Sequence, residues 1–134
     1  MPLHTALQNN LPPYARALGF TITEATSDRI IAEMTVREEF SNGLGTMHGG
    51  ALMTLADTMG AIATIVNIPR GAQTTTLESK TNFVSAAVVG TVITAEVTAI
   101  HRGKTTQVWQ TRITRADGKL VALITQTQLV LATA

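Results

Sequence analysis

One segment of this sequence, residues 49–67, is apolar around nearly the whole circumference of a helix. Its apolar positions are Leu52, Met53, Leu55, Ala56, Met59, Ile62, Ala63 and Val66. A helix that is hydrophobic on almost every side is a buried helix, because it has no polar face to turn toward water. Pro69 and Gly71 follow the segment and predict its end. The rest of the chain must therefore be arranged around this helix.

Strand patterns occupy most of the remaining sequence. Apolar and polar residues alternate from residue 30 to residue 36 and again from 93 to 99, which is typical of half-buried strands. Asp117-Gly118 separates two later runs and is a strong hairpin signal. The predicted strands cover residues 18–25, 30–36, 74–84, 93–99, 105–114 and 120–131.

The order of these elements predicts the fold class. Two strands, one buried helix and four further strands indicate an α+β fold in which a curved antiparallel sheet wraps around a central helix. A short helix is predicted at residues 5–10, ended by Pro12 and Pro13, and a loop at residues 38–47. The length of 134 residues fits one domain, which we assign to residues 1–134.

Composition excludes several classes of function. Ten basic and nine acidic residues leave a net charge of +1, so no nucleic-acid-binding face is expected. The absence of cysteine excludes disulfides, thiolate nucleophiles and cysteine-ligated metals. His48 and His101 lack the spacing of a metal-binding helix, and we expect neither a metal nor a cofactor. The N-terminus has no signal-peptide pattern, and the polar residues within 51–68 argue against a membrane span, which predicts a cytoplasmic protein.

The predicted sheet leaves apolar residues and strand edges uncovered. Leu77 and Phe83 fall on the face that one central helix does not cover. Pairing of two chains along a sheet edge would satisfy the unpaired backbone groups of the edge strand. We therefore expect a homodimer, or a homotetramer formed by two dimers.

The start of the buried helix is a candidate site for a carbonyl group. Gly49 and Gly50 fall in the first helical turn, where unsatisfied N–H groups and the helix dipole create a positive end. Glycine allows a ligand to approach the backbone closely, so a thioester carbonyl placed there would find an oxyanion hole. The alternative is that the glycines only permit tight packing. His48 and Asn42 could contact the substrate, or could instead fix the loop and form a turn.

Asp57 is the candidate catalytic carboxylate. It lies two turns into an otherwise apolar helix, on a narrow polar seam with Thr54, Thr58 and Ala61. A buried carboxylate is costly unless it is paired or functional. It could therefore serve as a base, or it could be a structural aspartate held by a neighbouring hydroxyl group.

These residues together resemble a known family. Asn42, the His48-Gly49-Gly50 helix start and Asp57 are similar to the active-site motif of hotdog-fold acyl-CoA thioesterases, in the 4-hydroxybenzoyl-CoA thioesterase superfamily. The similarity is to the branch that contains the phenylacetate-pathway enzymes and thioesterase superfamily member 2. Residues 75–87 resemble the interface strand of the family, and residues 101–104 and 117–122 resemble its late hairpins. The resemblance extends over nearly the whole chain.

The resemblance implies a role for each residue. The Gly49 N–H would polarise the thioester carbonyl with help from Asn42, and Asp57 would be the general base or the nucleophile. Thr76 best matches the hydroxyl residue that places water, and His48 would lie near the carbonyl. The substrate-binding positions would be Gly50, Arg102 and Lys104, the last two as contacts to coenzyme A phosphates or as solvated turn charges. Family sites form between two subunits.

Two other functions remain open at this point. The first is an acyl-thioester hydratase or dehydratase on the same fold, although the spacing of His48 and Asp57 fits the hydrolase better. The second is a non-catalytic module that binds acyl-CoA. A buried base would give such a module no advantage. The identity of the acyl group cannot be inferred from the sequence.

Overall fold

The structure, a computed structural model, describes residues 1–132. The helices are α1 (Leu3–Asn9), α2 (Pro13–Leu18) and α3 (Gly49–Val66), with one 3₁₀ turn at Glu38–Phe40. The strands are β1 (Thr21–Ala25), β2 (Arg29–Thr35), β3 (Gln73–Phe83), β4 (Val92–Arg102), β5 (Thr106–Arg115) and β6 (Leu120–Leu131).

All six strands form one antiparallel sheet in the order β1-β2-β4-β5-β6-β3. Strands β4, β5 and β6 follow one another as a meander, and β3 returns to the far edge beside β6. The Asp117-Gly118 turn joins β5 to β6, with Gly118 at a φ of 87°. The hydrogen bond from Arg115 lowers the pKa of Asp117 to about 2, so this turn carries an ion pair at neutral pH.

Helix α3 lies against five of the six strands, which confirms the predicted α+β arrangement of a curved sheet around a central helix. Its length and hydropathy would suffice to cross a membrane. In the fold, however, the helix packs as the core element of the sheet. The residues that form its buried face are Leu52, Leu55, Ala56, Met59, Gly60, Ala63 and Thr64.

The N-terminal region differs from the prediction. Pro12 and Pro13 do not only end the first helix; Pro13 also begins a second one, because its fixed φ suits the first helical position. Helix α2 then continues through Leu18 and ends at Gly19, which has a φ of 84°. Strand β1 therefore begins at residue 21 and not at residue 18.

The two edges of the sheet are formed by strands of different length. Strand β1 has five residues, whereas β3 has eleven and includes a register shift between Thr76 and Glu78. Leu77, at this shift, is 58% exposed, and Phe83, at the end of the strand, is 56% exposed. A long edge strand with exposed apolar side chains is suited to pairing with another chain.

The packing of the core predicts that replacing the one tryptophan strongly lowers the stability of the fold. Trp109 on β5 is fully buried, and its Nε1–H donates to Gln107 Oε1 over 3.2 Å. Replacing Trp109 with alanine removes a large buried ring, so we expect the free energy of unfolding to fall by roughly 3–5 kcal/mol. Chemical denaturation monitored by circular dichroism measures this change.

Ile100→Ala is the control for this prediction. Ile100 is an apolar residue in β4, but it is 57% exposed. Its replacement should change the free energy of unfolding by about 0.5 kcal/mol or less. Equal losses of unfolding free energy in the two variants would contradict the placement of Trp109 in the core and of Ile100 at the surface.

Candidate active site

The N-terminus of α3 is capped by the side chain of the residue before it. His48 Nδ1 accepts a hydrogen bond from the Gly50 N–H over 2.8 Å. The N–H groups of Ala51 and Leu52 bond to the His48 carbonyl. The Gly49 N–H, by contrast, finds no acceptor among residues 1–132. The first turn therefore keeps one free donor, at the positive end of the helix dipole.

The surroundings of Gly49 and Gly50 show why glycine suits these positions. A Cβ atom at Gly49 would lie 3.1 Å from Cε1 of the Phe83 ring, tighter than ordinary packing. A Cβ at Gly50 would lie 3.0 Å from Nδ1 of His48, the atom that caps the helix. Close packing and a free donor thus occur together at Gly49, so the two interpretations of the glycines are compatible. The N–H of Gly50 is already occupied by the cap.

Asp57 lies on the half-buried seam of α3 together with Thr54, Thr58 and Ala61, as the spacing predicts. Its Oδ1 accepts a hydrogen bond from Thr76 Oγ1 over 2.6 Å. Gln126 Nε2 lies 3.3 Å from the same oxygen. In the part of the chain that the structure describes, no side chain or N–H donates to Asp57 Oδ2. The carboxylate is therefore held through one oxygen while the other is unoccupied.

Thr76 belongs to a chain of hydrogen bonds across β3 and β6. Gln128 Nε2 donates to Thr76 Oγ1 over 2.6 Å. Because Thr76 accepts this hydrogen bond, its single hydroxyl proton is free to point to Asp57. The structure thus brings Asp57 and Thr76 together, as two of the predicted site residues.

Asp57 also lines an apolar cavity of about 560 Å³. The cavity lies between the N-terminal helices α1 and α2 and the outward face of α3. This volume is within the range of small-molecule sites, which combine apolar walls with a few polar groups. The apolar lining includes Leu7, Leu11, Ala15, Ala61, Ile62 and Ile65.

The free N–H group and the carboxylate lie on one helix but far apart. Gly49 and Asp57 are eight residues apart in α3, which corresponds to about 12 Å along the helix axis at 1.5 Å per residue. A single carbonyl carbon must be within about 3–3.5 Å of an attacking atom while its oxygen contacts the donor. This separation is too long for the Asp57 carboxylate to attack directly a carbonyl group that is bound at the Gly49 N–H of the same chain.

Three other predicted residues are not brought to either group. The Asn42 side chain forms hydrogen bonds within its own loop. Its Nδ2 donates to Thr46 Oγ1 and its Oδ1 accepts from the Leu44 N–H, both over 2.8 Å. Arg102 pairs with Asp28 over 2.9 Å, at the turn between β1 and β2. Lys104 lies beside residues 67–69, at the end of α3 opposite to Gly49. Asn42 thus forms a turn, and Arg102 and Lys104 are remote from Gly49 of the same chain.

Two glutamines of the site were missed from the sequence. Gln126 and Gln128 are almost completely buried on β6. They share the inward face of the strand with Ala122 and Ile124, since side chains alternate across a strand. The sequence feature that could have identified them is the occurrence of polar residues at two successive inward positions of one strand. Among residues 1–132, no group of three metal-ligating side chains is found.

The arrangement supplies the parts needed for attack on a carbonyl group. An unpaired N–H at a helix start can stabilise a developing oxyanion. A carboxylate with one free oxygen can accept a proton from water or attack directly. The apolar cavity beside it can hold a hydrocarbon group. These parts fit hydrolysis of an acyl compound.

Comparisons with known proteins agree with this chemistry. A profile described as "Thioesterase superfamily" matches residues 44–122, which include the helix start, Asp57 and Thr76. Acyl-coenzyme A thioesterase 13 from Homo sapiens is 33% identical over 111 residues, which cover 81% of this chain and 79% of that protein.

Solved structures of thioesterases have the same fold. The PaaI protein of the phenylacetic acid degradation operon of E. coli has a TM-score of 0.87 at 27% identity, covering 98% of this chain and 93% of its own. A hypothetical thioesterase from Streptococcus pneumoniae, solved with coenzyme A, has a TM-score of 0.79 at 27% identity. That match covers 86% of this chain and 88% of the other.

The cap at His48 predicts a loss of stability that a different capping residue should prevent. His48→Ala removes the acceptor for the Gly50 N–H, and we expect the free energy of unfolding to fall by about 1 kcal/mol. His48→Asn keeps an acceptor at the cap and should lose much less. Thermal melting of the two variants and the wild type measures the difference. Equal melting temperatures for all three proteins would show that the cap does not stabilise α3.

Proposed function

The chain belongs to the thioesterase superfamily, and we propose that it hydrolyses acyl-coenzyme A thioesters to the free acid and coenzyme A. The observation that carries this proposal is Asp57, whose carboxylate is bound through one oxygen, free at the other, and placed at an apolar cavity. Relatives named acyl-coenzyme A thioesterase support the acyl-CoA substrate. A structural neighbour solved with coenzyme A supports the same carrier.

The reaction we propose begins with attack at the carbonyl carbon. The free oxygen of Asp57 takes a proton from water as the water oxygen attacks, or it attacks the carbon itself. The negative charge that develops on the carbonyl oxygen is stabilised by the Gly49 N–H. The carbon–sulfur bond then breaks, and the thiolate of coenzyme A leaves and is protonated. On the first route this releases the free acid, and on the second it leaves an anhydride with Asp57, which water then cleaves. Thr76 holds the carboxylate in place for either route.

We further propose that each active site is formed by two chains. The separation of about 12 Å between Gly49 and Asp57 along one helix favours a site in which the two groups at one carbonyl come from different subunits. The long edge strand β3, with exposed Leu77 and Phe83, is the surface we assign to the contact. The smallest active species is then a homodimer, and two dimers can associate into a tetramer.

The cavity between α3 and the N-terminal helices is the proposed site for the acyl group. Its walls are mainly aliphatic, so hydrocarbon chains and unsubstituted rings are favoured over charged acyl groups. The phosphates of coenzyme A would be bound by Lys104, with Arg102 as a second cation once its pair with Asp28 is exchanged. The core position of α3 supports a soluble enzyme, and a cytoplasmic location stays a prediction.

The first test of this function is thiol release from a panel of acyl-CoA thioesters. The protein has no cysteine, so a thiol reagent reports only free coenzyme A. We expect wild-type protein to release thiol and Asp57→Asn to lower kcat by at least roughly 10². Binding of a non-hydrolysable analogue should change much less, because asparagine keeps the shape of the side chain.

The same panel distinguishes the alternatives. Loss of enoyl-CoA absorbance without thiol release would identify a hydratase, and tight binding without release would identify a binding module. Turnover close to wild type in folded Asp57→Asn protein would refute the catalytic role of this carboxylate. Thr54→Val, on the same seam but outside the lining of the cavity, is a control that should keep most of the activity.

The second test asks whether one site uses two chains. A heterodimer of Gly49→Val and Asp57→Asn chains, purified with two different affinity tags, contains one site with both wild-type groups. We expect it to regain about half of the wild-type kcat, although each variant alone is nearly inactive.

The reciprocal heterodimer is the matched control. It pairs a wild-type chain with a chain that carries both substitutions, so each shared site lacks one group. Little activity is expected, whereas sites formed within one chain would leave about half. Retention of half the activity in this second heterodimer, or a fully active monomer by light scattering, would overturn the shared site.

A further inference from the structure

We propose that Gln126 and Gln128, on the inward face of β6, are positioning residues that leave Asp57 with one carboxylate oxygen bound and the other free. This inference rests on the proposed thioester hydrolysis. It concerns how the carboxylate is oriented, since neither glutamine touches the reacting atoms. Strand β6 thereby contributes to the site although it carries no catalytic residue.

Gln126 holds the carboxylate directly. Its Nε2 lies 3.3 Å from Asp57 Oδ1 and 3.4 Å from the backbone carbonyl of Asp57. The side chain is 1% exposed, and its Oε1 is buried without a hydrogen-bond partner in the described chain. An unsatisfied buried acceptor is unfavourable, and a leucine at this position would avoid it. A buried amide in this arrangement is expected where its N–H groups are needed, and here they are directed to Asp57.

Helix α3 has a gap that admits this amide. Gly60 lies in the middle of the helix, where glycine is less favourable than alanine. A Cβ atom at Gly60 would lie 2.2–2.4 Å from the Cδ, Oε1 and Nε2 atoms of Gln126. No side chain can be added there without displacing the amide. The helix therefore lacks a side chain at the point where the amide of Gln126 reaches Asp57.

Gln128 acts on the carboxylate through Thr76. It is fully buried, and its Nε2 donates to Thr76 Oγ1 over 2.6 Å. Its Oε1 lies 2.8 Å from Thr74 Oγ1, whose hydroxyl can donate to it. With Gln128 as the donor, the Thr76 hydroxyl proton points to Asp57 Oδ1. Gln126 thus donates to Oδ1 directly, and Gln128 orients the Thr76 hydroxyl that donates to the same oxygen. Oδ2 is the atom left for water or for the acyl carbon.

The test combines substitutions at Gln126 and Asp57. Gln126→Leu removes the donor and also the unpaired acceptor, so the fold should hold or become more stable. We expect kcat to fall about tenfold with little change in KM, because the Asp57 carboxylate loses one hydrogen bond, the one from Gln126. In an Asp57→Asn background the same substitution should change kcat by about twofold or less, because Gln126 acts through that carboxylate.

Two controls separate positioning from packing. Gln107→Leu replaces another buried glutamine of the same sheet, one that contacts Trp109 and not Asp57, and should leave kcat nearly unchanged. Gly60→Ala should lower kcat as Gln126→Leu does, because it displaces the amide. Adding Gln126→Ala to Gly60→Ala relieves the contact and should recover melting temperature without recovering kcat.

The outcomes are distinct for the inference and for the function. If the wild-type protein releases thiol and Gln126→Leu has the same kcat, the positioning role is overturned while the proposed hydrolase function stands. Equal losses in the wild-type and Asp57→Asn backgrounds would show a packing role only. Should wild-type protein release no thiol, nitrogen–proton NMR decides the inference. The amide signals of Gln126 and Gln128 should shift in Asp57→Asn protein while that of Gln107 stays, and unmoved signals would overturn the proposal.

Discussion

The hydrogen bond from Thr76 to Asp57 joins the core helix to the edge of the sheet, and the rest of the site depends on it. A carboxylate on a helix that is otherwise packed with apolar side chains needs a partner. Here the partner comes from β3, the edge strand next to β6, whose Thr76 side chain faces the helix. The same requirement explains why the inward face of β6 becomes polar where it passes Asp57. One half-buried hydrogen bond thus constrains both the packing of the helix on the sheet and the chemistry of the carboxylate.

The architecture could be predicted because it depends on patterns that are repeated along the chain. The apolar circumference of residues 49–67 and the alternation in the strands involve many residues, so single exceptions did not change the result. Boundaries at the N-terminus were less accurate, since Pro13 can follow one helix and also begin another. The seam that carries Asp57 was predictable from helical spacing alone.

The details of the site were less predictable because they depend on contacts between distant residues. The family resemblance placed Thr76 in the site as a residue that positions water, but its hydrogen bond to Asp57 and the roles of Gln126 and Gly60 follow only from three-dimensional proximity. For His48, local sequence allowed a substrate contact or a hydrogen bond that fixes the loop, and the geometry shows a bond of another kind, a helix cap through Nδ1. One hydrogen bond of the Asn42 amide closes its own loop, and its role as a donor to the substrate stays a prediction. A sequence contains such alternatives wherever a polar side chain can reach its own backbone.

The contact between Gly60 and the amide of Gln126 also constrains how this sequence can change over time. A side chain at Gly60 displaces the amide of Gln126, because that amide occupies the space of the missing Cβ. Shortening of Gln126 opens the space. A change at position 60 is therefore crowded when it comes first and unhindered when it follows a change at position 126. The history of one position thus determines how costly a change at the other becomes.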